Sequence, residues 1–522
     1  MSNFGTLVQV VGASWLMTVL DPSPWMVALV QVATTAPIML LALAGGASAD
    51  LWDRRIVMLG AQLLMFAVSV VLLLMTYLGK TTPGSLLLLT FLIGVGTALY
   101  GPAWQSAVGE LVPRSQISAA VSLNSLNYNL ARTAGPALGG LLVAAAGPAA
   151  AFLANTLSYV ALIAVLATWR RPRSPRTLPP ESMLRAMASG VRYARLSPGI
   201  RTVLIRGLVF GLLGSPIWAL LPLVARDLVG GGARTYGLLF GALGAGAVLG
   251  ALGSAAARLC YPNEQVVRLS SIGFGAATVL TATSSWHVLT MLALVLTGAC
   301  WVTALSTFNV TVQISSPRWV VGRTMAIYQM VTFGGLALGS WLWGVFAAHT
   351  GLEDTFLAAG LLMAASALLG RWLALPQPED LNLEPSRSWL SQQEAPGARL
   401  IGNTPVIVTV EYRIALADAA SFCRAMAELR RIRRRDGARR WTLMQDAADP
   451  EAWIERYHSP NWVEHLRGHN RFTVADQEIE SRVLSLHRGE GSPRIRHLLE
   501  RPAELPPGEQ PAAARSGDLK TV

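Results

Sequence analysis

The stretch Gly46-Ala47-Ser48-Ala49-Asp50-Leu51-Trp52-Asp53-Arg54-Arg55 puts four charged side chains within six residues, between two long runs that carry none. The run before it, 26–49, and the run after it, 56–78, are each long enough as helix to cross the ~30 Å hydrocarbon core of a bilayer. A short charged connection between two such runs reads as a turn at a membrane surface. Working outward, apolar segments of crossing length recur at 85–108, 117–146, 149–168, 201–225, 234–257, 265–283, 286–312, 322–347 and 352–374. These make eleven spans. A shorter apolar segment, 5–20, precedes them without a basic n-region or an A-x-A site, so it is not a signal peptide. It is expected to be the second half of a first span, truncated at its beginning.

Composition agrees. Of 522 residues, 52% are apolar and 14% charged, against about 25% charged in ordinary soluble domains. The net charge of +12 is unevenly placed: up to Leu375 there are 21 basic and 9 acidic residues, and from Pro376 onward 21 of each. A soluble single-domain protein is excluded. A disulfide-stapled secreted one is excluded too, because Cys260, Cys300 and Cys423 lie at no ligand spacing.

The arginines set the orientation. With the N-terminus cytoplasmic, the inner connections hold fifteen basic residues, Arg54 and Arg55 among them, and the outer ones hold three: Lys80, Arg226 and Arg234. Such a bias marks the inner side and places everything after 375 in the cytoplasm. The largest inner loop divides the spans into two sets of six. Within it Leu184, Met187 and Val191 stand opposite Arg185, Arg192 and Arg195, as in a helix lying on the anionic leaflet. A plain tether fits equally.

Two six-span sets predict internal likeness. Gly135-Pro136-Ala137-Leu138-Gly139-Gly140 in the fifth span is echoed 200 residues on by Gly335-Leu336-Ala337-Leu338-Gly339-Ser340 in the eleventh. Pro113-Arg114 is echoed 204 residues on by Pro317-Arg318. The four-residue slip is about one helical turn, so one half is expected to carry an extra turn there.

With these features the first 375 residues resemble the major facilitator superfamily. The connection Gly46 to Arg55 is similar to that family's Gly-x-x-x-Asp-basic-x-Gly-basic-basic signature, with Leu51 for the first basic residue and Asp53 for the glycine. Gly135, Pro136, Gly139 and Gly140 resemble the core of its antiporter signature, although Ala131 stands at an upstream glycine position. No arginine near Phe91 matches the fourth-span arginine of proton-coupled members. The layout, with Pro317 to Arg323 included, is most similar to the transmembrane secretion effectors, in the branch that includes the enterobactin exporter. The resemblance implies alternating access, with Asp50 latching the halves through a helix N-terminus and Arg54 and Arg55 completing a charge network. Asp53 belongs to the same gating loop. Arg54 and Arg55 as pure topology signals are the plainer alternative.

Charges within the spans are few. Arg132, near the middle of span five, calls for a role or a partner at that depth, either an anionic substrate or backbone carbonyls. Asn124 and Asn127 lie on the same span and are candidate cavity contacts. No carboxylate lies at mid-membrane, so proton coupling is implied by the resemblance alone.

The charge-dense block opens with a linker rich in Pro, Glu, Ser and Gln, 376–404. A strand is expected at 406–414, with Val406, Val408, Val410 and Tyr412 on one face. A helix follows at 417–434 with Phe422, Met426 and Leu429 buried, then strands at 440–445 and 453–458 and one or two helices over 461–486. This βαββα order predicts a small α+β domain. It resembles the ferredoxin-like antibiotic-biosynthesis monooxygenases, which implies pairing into dimers. His465 and His469 at i, i+4 could present two ligands to a metal. Solvated histidines are commoner and no third ligand is evident, so neither metal nor cofactor is expected. The run Arg430, Arg431, Arg433, Arg434, Arg435, Arg439 and Arg440 points to the inner leaflet or an acidic face rather than to nucleic acid.

The expected organisation is a six-helix half over 1–168, a loop with an amphipathic helix over 169–200, a second six-helix half over 201–375, a linker over 376–404, an α+β domain over 405–489 and a disordered tail over 490–522. The expected function is secondary active export of small organic molecules, siderophore or drug-like, across a bacterial inner membrane, without enzymatic activity. The alternative is a membrane-anchored small-molecule sensor or enzyme acting through the α+β domain.

Overall fold

The computed structural model describes residues 2–51, 53–111, 117–169, 183–317, 319–377, 382–384, 386 and 404–500. Within these it gives the helix backbone alone at 2–3, 46–51, 105–106, 108–111, 117–130, 132–133, 183–186 and 469–470. The chain divides into two compact units. One comprises Met1–Ala194, Pro198–Ser316 and Val320–Pro378, and the other is Glu379–Val522 with the short pieces Arg195–Ser197 and Pro317–Trp319.

The first unit is entirely helical: α1 Ser2–Leu20, α2 Pro24–Leu51, α3 Arg54–Tyr77, α4 Pro83–Leu111, α5 Ile117–Thr168, α6 Met183–Leu196, α7 Pro198–Leu223, α8 Ala233–Cys260, α9 Asn263–Thr283, α10 His287–Ile314, α11 Val321–Thr350 and α12 Leu352–Ser366. Among the described residues, ten helices are long and apolar enough to cross a membrane, and the shorter apolar helix Phe4–Leu20 stands before them. One of the ten, α5, is two helices. It breaks at Gly147, whose φ of 76° and ψ of 173° lie outside any helix, ahead of Pro148, which has no backbone N–H to continue the ladder. The expected spans 117–146 and 149–168 correspond to its two limbs.

The second half repeats this device. Gly351, between α11 and α12, has φ 92° and ψ 170°. Both glycines occupy the region of backbone space that a Cβ forbids. Eight residues separate Gly139 from Gly147 and twelve separate Gly339 from Gly351. Gly147 and Gly351 lie 204 residues apart, as Pro113 and Pro317 do, so the extra turn of the first half before its glycine motif is matched by one in the second half after it.

The central loop holds the expected short helix, α6. The buried positions of α6 are Ser189, Gly190, Tyr193 and Ala194, while Val191 is 39% exposed. Arg323 on α11 donates from Nη1 to Ser189 Oγ at 2.6 Å, and a Cβ on Gly190 would meet Arg323 Cβ at 2.8 Å. Tyr193 donates to the Ser315 carbonyl at 3.4 Å. Helix α6 thus packs on the second half through small and hydroxylated residues. Val191 of the apolar stripe lies on the exposed side of α6, away from these contacts, and the side chains of Leu184 and Arg185 lie outside the described residues.

In the second unit β1 Val406–Arg413, α13 Ala419–Asp436, β2 Arg439–Gln445, β3 Ala452–Ser459, α14 Trp462–Arg471, α15 Val474–Ser485 and β4 Arg494–Leu499 follow in order. The four strands form one antiparallel sheet in the order β2-β3-β1-β4. Val406, Val408, Val410 and Tyr412 alternate into the core with Phe422, Met426, Leu429 and Ile432 of α13. Strand β4 lies within 490–522, the stretch expected to be tail, and pairs Val406 with Leu499 and Val410 with Ile495. The order is therefore βαββααβ, with two helices over 461–486 and one strand beyond the βαββα read from the sequence.

Gly147→Ala and Gly351→Ala are each expected to cost about 1–3 kcal/mol, read as a lowered thermal midpoint of the full chain in detergent. Gly60→Ala, where an added Cβ meets nothing within 4 Å, is expected to leave the midpoint unchanged.

Candidate gating and transport site

The gating loop is built from helix ends. Asp53 caps α3, its Oδ1 accepting from Arg55 N at 3.0 Å. This supplies one partner to the open N–H groups that every helix start presents. It also gives a physical reason for an acid where the family signature has glycine. Arg55 turns to the end of the second limb of α5, donating from Nε to the Leu166 carbonyl at 2.8 Å and from Nη2 to the Ala167 carbonyl at 2.6 Å. A guanidinium there satisfies terminal carbonyls and meets the negative end of the helix dipole. The described partners of the Arg55 guanidinium are thus carbonyls of the first half. Gly46 and Asp50 fall on the last turns of α2, and their side-chain placement lies outside the described residues.

The antiporter-like motif serves two partners at once. A Cβ on Gly135 would stand 3.0 Å from Leu7 Cβ, and one on Gly139 3.1 Å from Val8 Cα. These glycines seat α1 against the first limb of α5. Gly140 turns to the other half: a Cβ on Gly237 of α8 would stand 2.5 Å from Gly140 Cα and 3.0 Å from the Pro136 carbonyl. In α11, Gly335 approaches the Leu208 carbonyl of α7 and Gly339 the Leu212 carbonyl. The fifth helix of each half is thus seated on the first helix of that half by glycines four apart.

Several contacts tie the halves together near the ends that the arginine distribution turns outward. Besides Gly140 and Gly237, Gly344 of α11 lies against Ala28 and Trp25 of α2. Arg226 donates to the Thr18 carbonyl at 3.2 Å, and the rings of Trp15 and Tyr236 stack at 6.3 Å. Nearer mid-helix, Gly334 meets Met39.

Two polar clusters escaped sequence reasoning. Arg206 is 4% exposed and pairs with Glu264 at 2.6 Å, while Glu264 Oε2 also accepts from Leu375 N at 3.1 Å. A lone arginine eight residues into α7 signals a need for a partner, but only the fold shows which acid answers. In the first half Asn155 donates to Gln9, and Ser69 shares a 2.8 Å hydrogen bond with Thr156. Such bonds hold helices where no water competes. Arg132, Asn124 and Asn127 are on the first limb of α5, and their side chains lie outside the described residues.

The second unit has a charged interior of its own. Glu455 is fully buried and accepts from Trp441 Nε1 at 2.8 Å and from Tyr412 at 3.1 Å. Arg433 lies 3.6 Å from it and bonds Glu480 at 2.7 Å. Arg435 is held between Asp436 and Asp476, at 2.9 and 2.6 Å. The arginine run is therefore not one basic face, since Arg433 and Arg435 turn inward. Burial raises the Asp436 carboxyl to about 6, the Arg435 guanidinium only partly offsetting it. Burial also pushes Tyr457 up to about 12 and lowers His497. His497 of β4 faces His465 at 4.9 Å between ring centres. Among the described residues no three ligating side chains form a metal site, and the His469 side chain lies outside them. A cavity of about 40 Å³ lies among Arg433, Tyr457, Ser459 and His465, room for a few waters.

Two pseudo-equivalent sets of six membrane helices, each seated on its first helix and joined to the other at one end, define a membrane transporter of the two-halved, alternating-access class. The family model described as "Transmembrane secretion effector" matches residues 1–504, and the chain belongs to that family of major facilitator transporters. It is a multi-pass membrane protein and a secondary transporter exporting small molecules, not an enzyme. The "Multidrug efflux pump Tap" of Mycolicibacterium fortuitum is 26% identical over 394 residues, covering 73% of this chain and 94% of the relative. The "Staphyloferrin A transporter" of Staphylococcus aureus is 24% identical, covering 68% and 89%. The "Enterobactin exporter EntS" of Escherichia coli O1:K1 / APEC is 27% identical, covering 62% and 77%. The fold is also that of the nucleoside transporter NupG, with TM-score 0.58, 12% identity and coverage of 72% and 98%. A bacterial homolog of the human lysosomal transporter Spinster, in its inward-facing unoccupied conformation, gives TM-score 0.56, 14% identity and coverage of 76% and 98%.

Gly140→Leu is expected to pry the seam open, because overpacking a helix crossing costs about 1–3 kcal/mol. That shifts the conformer ratio about tenfold, read as raised labelling of cysteines placed at the outward ends with expression intact. The Asp436 carboxyl, raised above its unfolded value of 3.8 to about 6, binds its proton more tightly in the folded state. Its contribution to stability is full below pH ~4 and is lost as pH rises through ~6. Asp436→Asn is expected to remove that slope, read by hydrogen exchange of the β1 and β3 amides in the full chain.

Proposed function

We propose that this chain exports drug-like or siderophore-like organic molecules from the cytoplasm, driven by an ion gradient, with its charge-dense C-terminal unit on the cytoplasmic side. The observation that carries the reading is the match of residues 1–504 to the secretion-effector family, and the seam is consistent with it. Gly140 against Gly237, Gly344 against Ala28 and Trp15 against Tyr236 all join the halves toward the ends expected to face outward. Such a closure suits a conformer that takes its substrate from inside. The names of Tap, EntS and the staphyloferrin A transporter support the substrate range.

In this reading Gly46 to Arg55 is the inner gating loop. Asp50 latches the halves in the outward-open state, and the proton is the coupling ion. Gly135 to Gly140 is the seam along which the halves rock. Arg132, Asn124 and Asn127 contact substrate in the cavity. The βαββααβ order and the β2-β3-β1-β4 sheet support a ferredoxin-like domain for the C-terminal unit, of the monooxygenase-like type. The sheet face away from α13 carries Met444 and Leu498, exposed at 40% and 48%, and a homodimer through that face is part of the proposal.

Everted vesicles from cells expressing the chain test the transport reading. Energised vesicles are expected to accumulate at least one of a fluorescent dye, a catecholate siderophore and a citrate-type siderophore, and to lose it on adding a protonophore. No movement of any of the three would count against the reading.

A further inference from the structure

Helices α1 and α7 open the two halves, and each has a stretch in its outward half enclosed by protein. In α1 every residue from Val11 to Thr18 is buried except Trp15, and in α7 every residue from Gly214 to Leu223 is buried except Trp218. Each tryptophan stands five residues before its helix's last residue, Leu20 and Leu223. An indole left partly accessible in a stretch otherwise buried is the side chain there that a bound molecule could reach.

The two tryptophans are joined by rings from α8. Trp15 stacks on Tyr236 at 6.3 Å and 20°, and Tyr236 on Phe240 at 5.9 Å and 27°. Phe240 meets Trp218 edge-on at 5.8 Å and 74°. Behind them Trp301 of α10 supports Trp218 at 5.5 Å. Four rings thus form an arc that begins on the first half, crosses the seam and ends on the second. Tyr236 and Phe240 are 1% and 7% exposed, so the tryptophans present the accessible faces. Indole faces attract the planes of other aromatic rings and the positive charge of cations.

We infer that Trp15 and Trp218 are specificity-determining residues for a planar aromatic group, which docks on this arc at the closed end of the central space. The inference rests on the transporter reading above and names its substrate class. Because Trp15 and Tyr236 belong to different halves, opening the outward end separates their rings. The step that unlocks the exit therefore dismantles the docking surface and releases the molecule.

The test is a binding titration of the purified full chain in detergent with Hoechst 33342, a planar aromatic dye whose emission rises in an apolar site. The double variant Trp15→Leu, Trp218→Leu is expected to weaken binding at least about tenfold, while Trp15→Phe, Trp218→Phe stays within about threefold. Trp286→Leu, at a residue 70% exposed, is expected to bind as the parent chain does. Size-exclusion profiles matching the parent verify folding, and the phenylalanine pair keeps the comparison valid should the leucine pair aggregate, since losing binding with rings retained would also overturn the inference. Leucine variants binding within about threefold of the parent, or no saturable binding by the parent, would overturn it. If the parent binds no dye yet its vesicles export a citrate-type siderophore, the arc is refuted and the transporter reading stands. If vesicles move nothing, the transporter reading fails on its own measurement.

Discussion

Backbone-to-backbone contact at glycine is the constraint on which the membrane unit depends. In a bilayer, lipid tails are as apolar as leucine, so helices gain little by hiding from their solvent and gain mainly from close van der Waals approach. Gly135 and Gly139 let α5 touch α1, and Gly335 and Gly339 let α11 touch α7. Each half is thereby a unit whose first and fifth helices cannot drift apart without losing that contact. Gly140 and Gly237 make one more such contact, but between halves. The same residue type therefore builds the rigid bodies and the surface on which they meet.

Polar groups do the complementary work at helix ends. Asp53 and Arg55 satisfy donors and acceptors where α3 begins and α5 ends, and Arg206 with Glu264 ties the exit of α12 to α7 and α9. Removing one partner of a buried ion pair leaves the other charge stranded. These clamps make each half hold its own ends while the glycine crossings leave the seam smooth. In the second unit Glu455 and Arg433, and Arg435 with its two aspartates, play the same part inside a soluble core.

Much of this was readable before any coordinates. Span positions follow from apolar length alone, and the break at Gly147-Pro148 follows from backbone chemistry. The glycine repeat 200 residues apart pointed to equivalent helices because close approach requires glycine wherever it occurs. What could not be read depended on partners far along the chain. Arg494–Leu499 alternates charged and apolar residues next to a proline-rich stretch. Only pairing with β1, some ninety residues earlier, makes it a strand. Arg206 announced a need without naming Glu264. The contact of α6 with the second half was not legible because a hydroxyl and a glycine, Ser189 and Gly190, carry it, and neither counts as apolar. Trp15 and Trp218 are ordinary apolar residues until burial of all their neighbours marks them out.

Helix α6 has one more consequence, for the length of the leash between the halves. By sequence the connection runs from Trp169 to Gly199, but α6 is fastened to the second half through Ser189 and Arg323, and its last turns move with that half. The leash therefore ends at α6 and not at α7: its anchor on the second half is Ser189 on Arg323 together with Tyr193 on the Ser315 carbonyl, so untying Arg323 moves the point at which that half is held without breaking the chain.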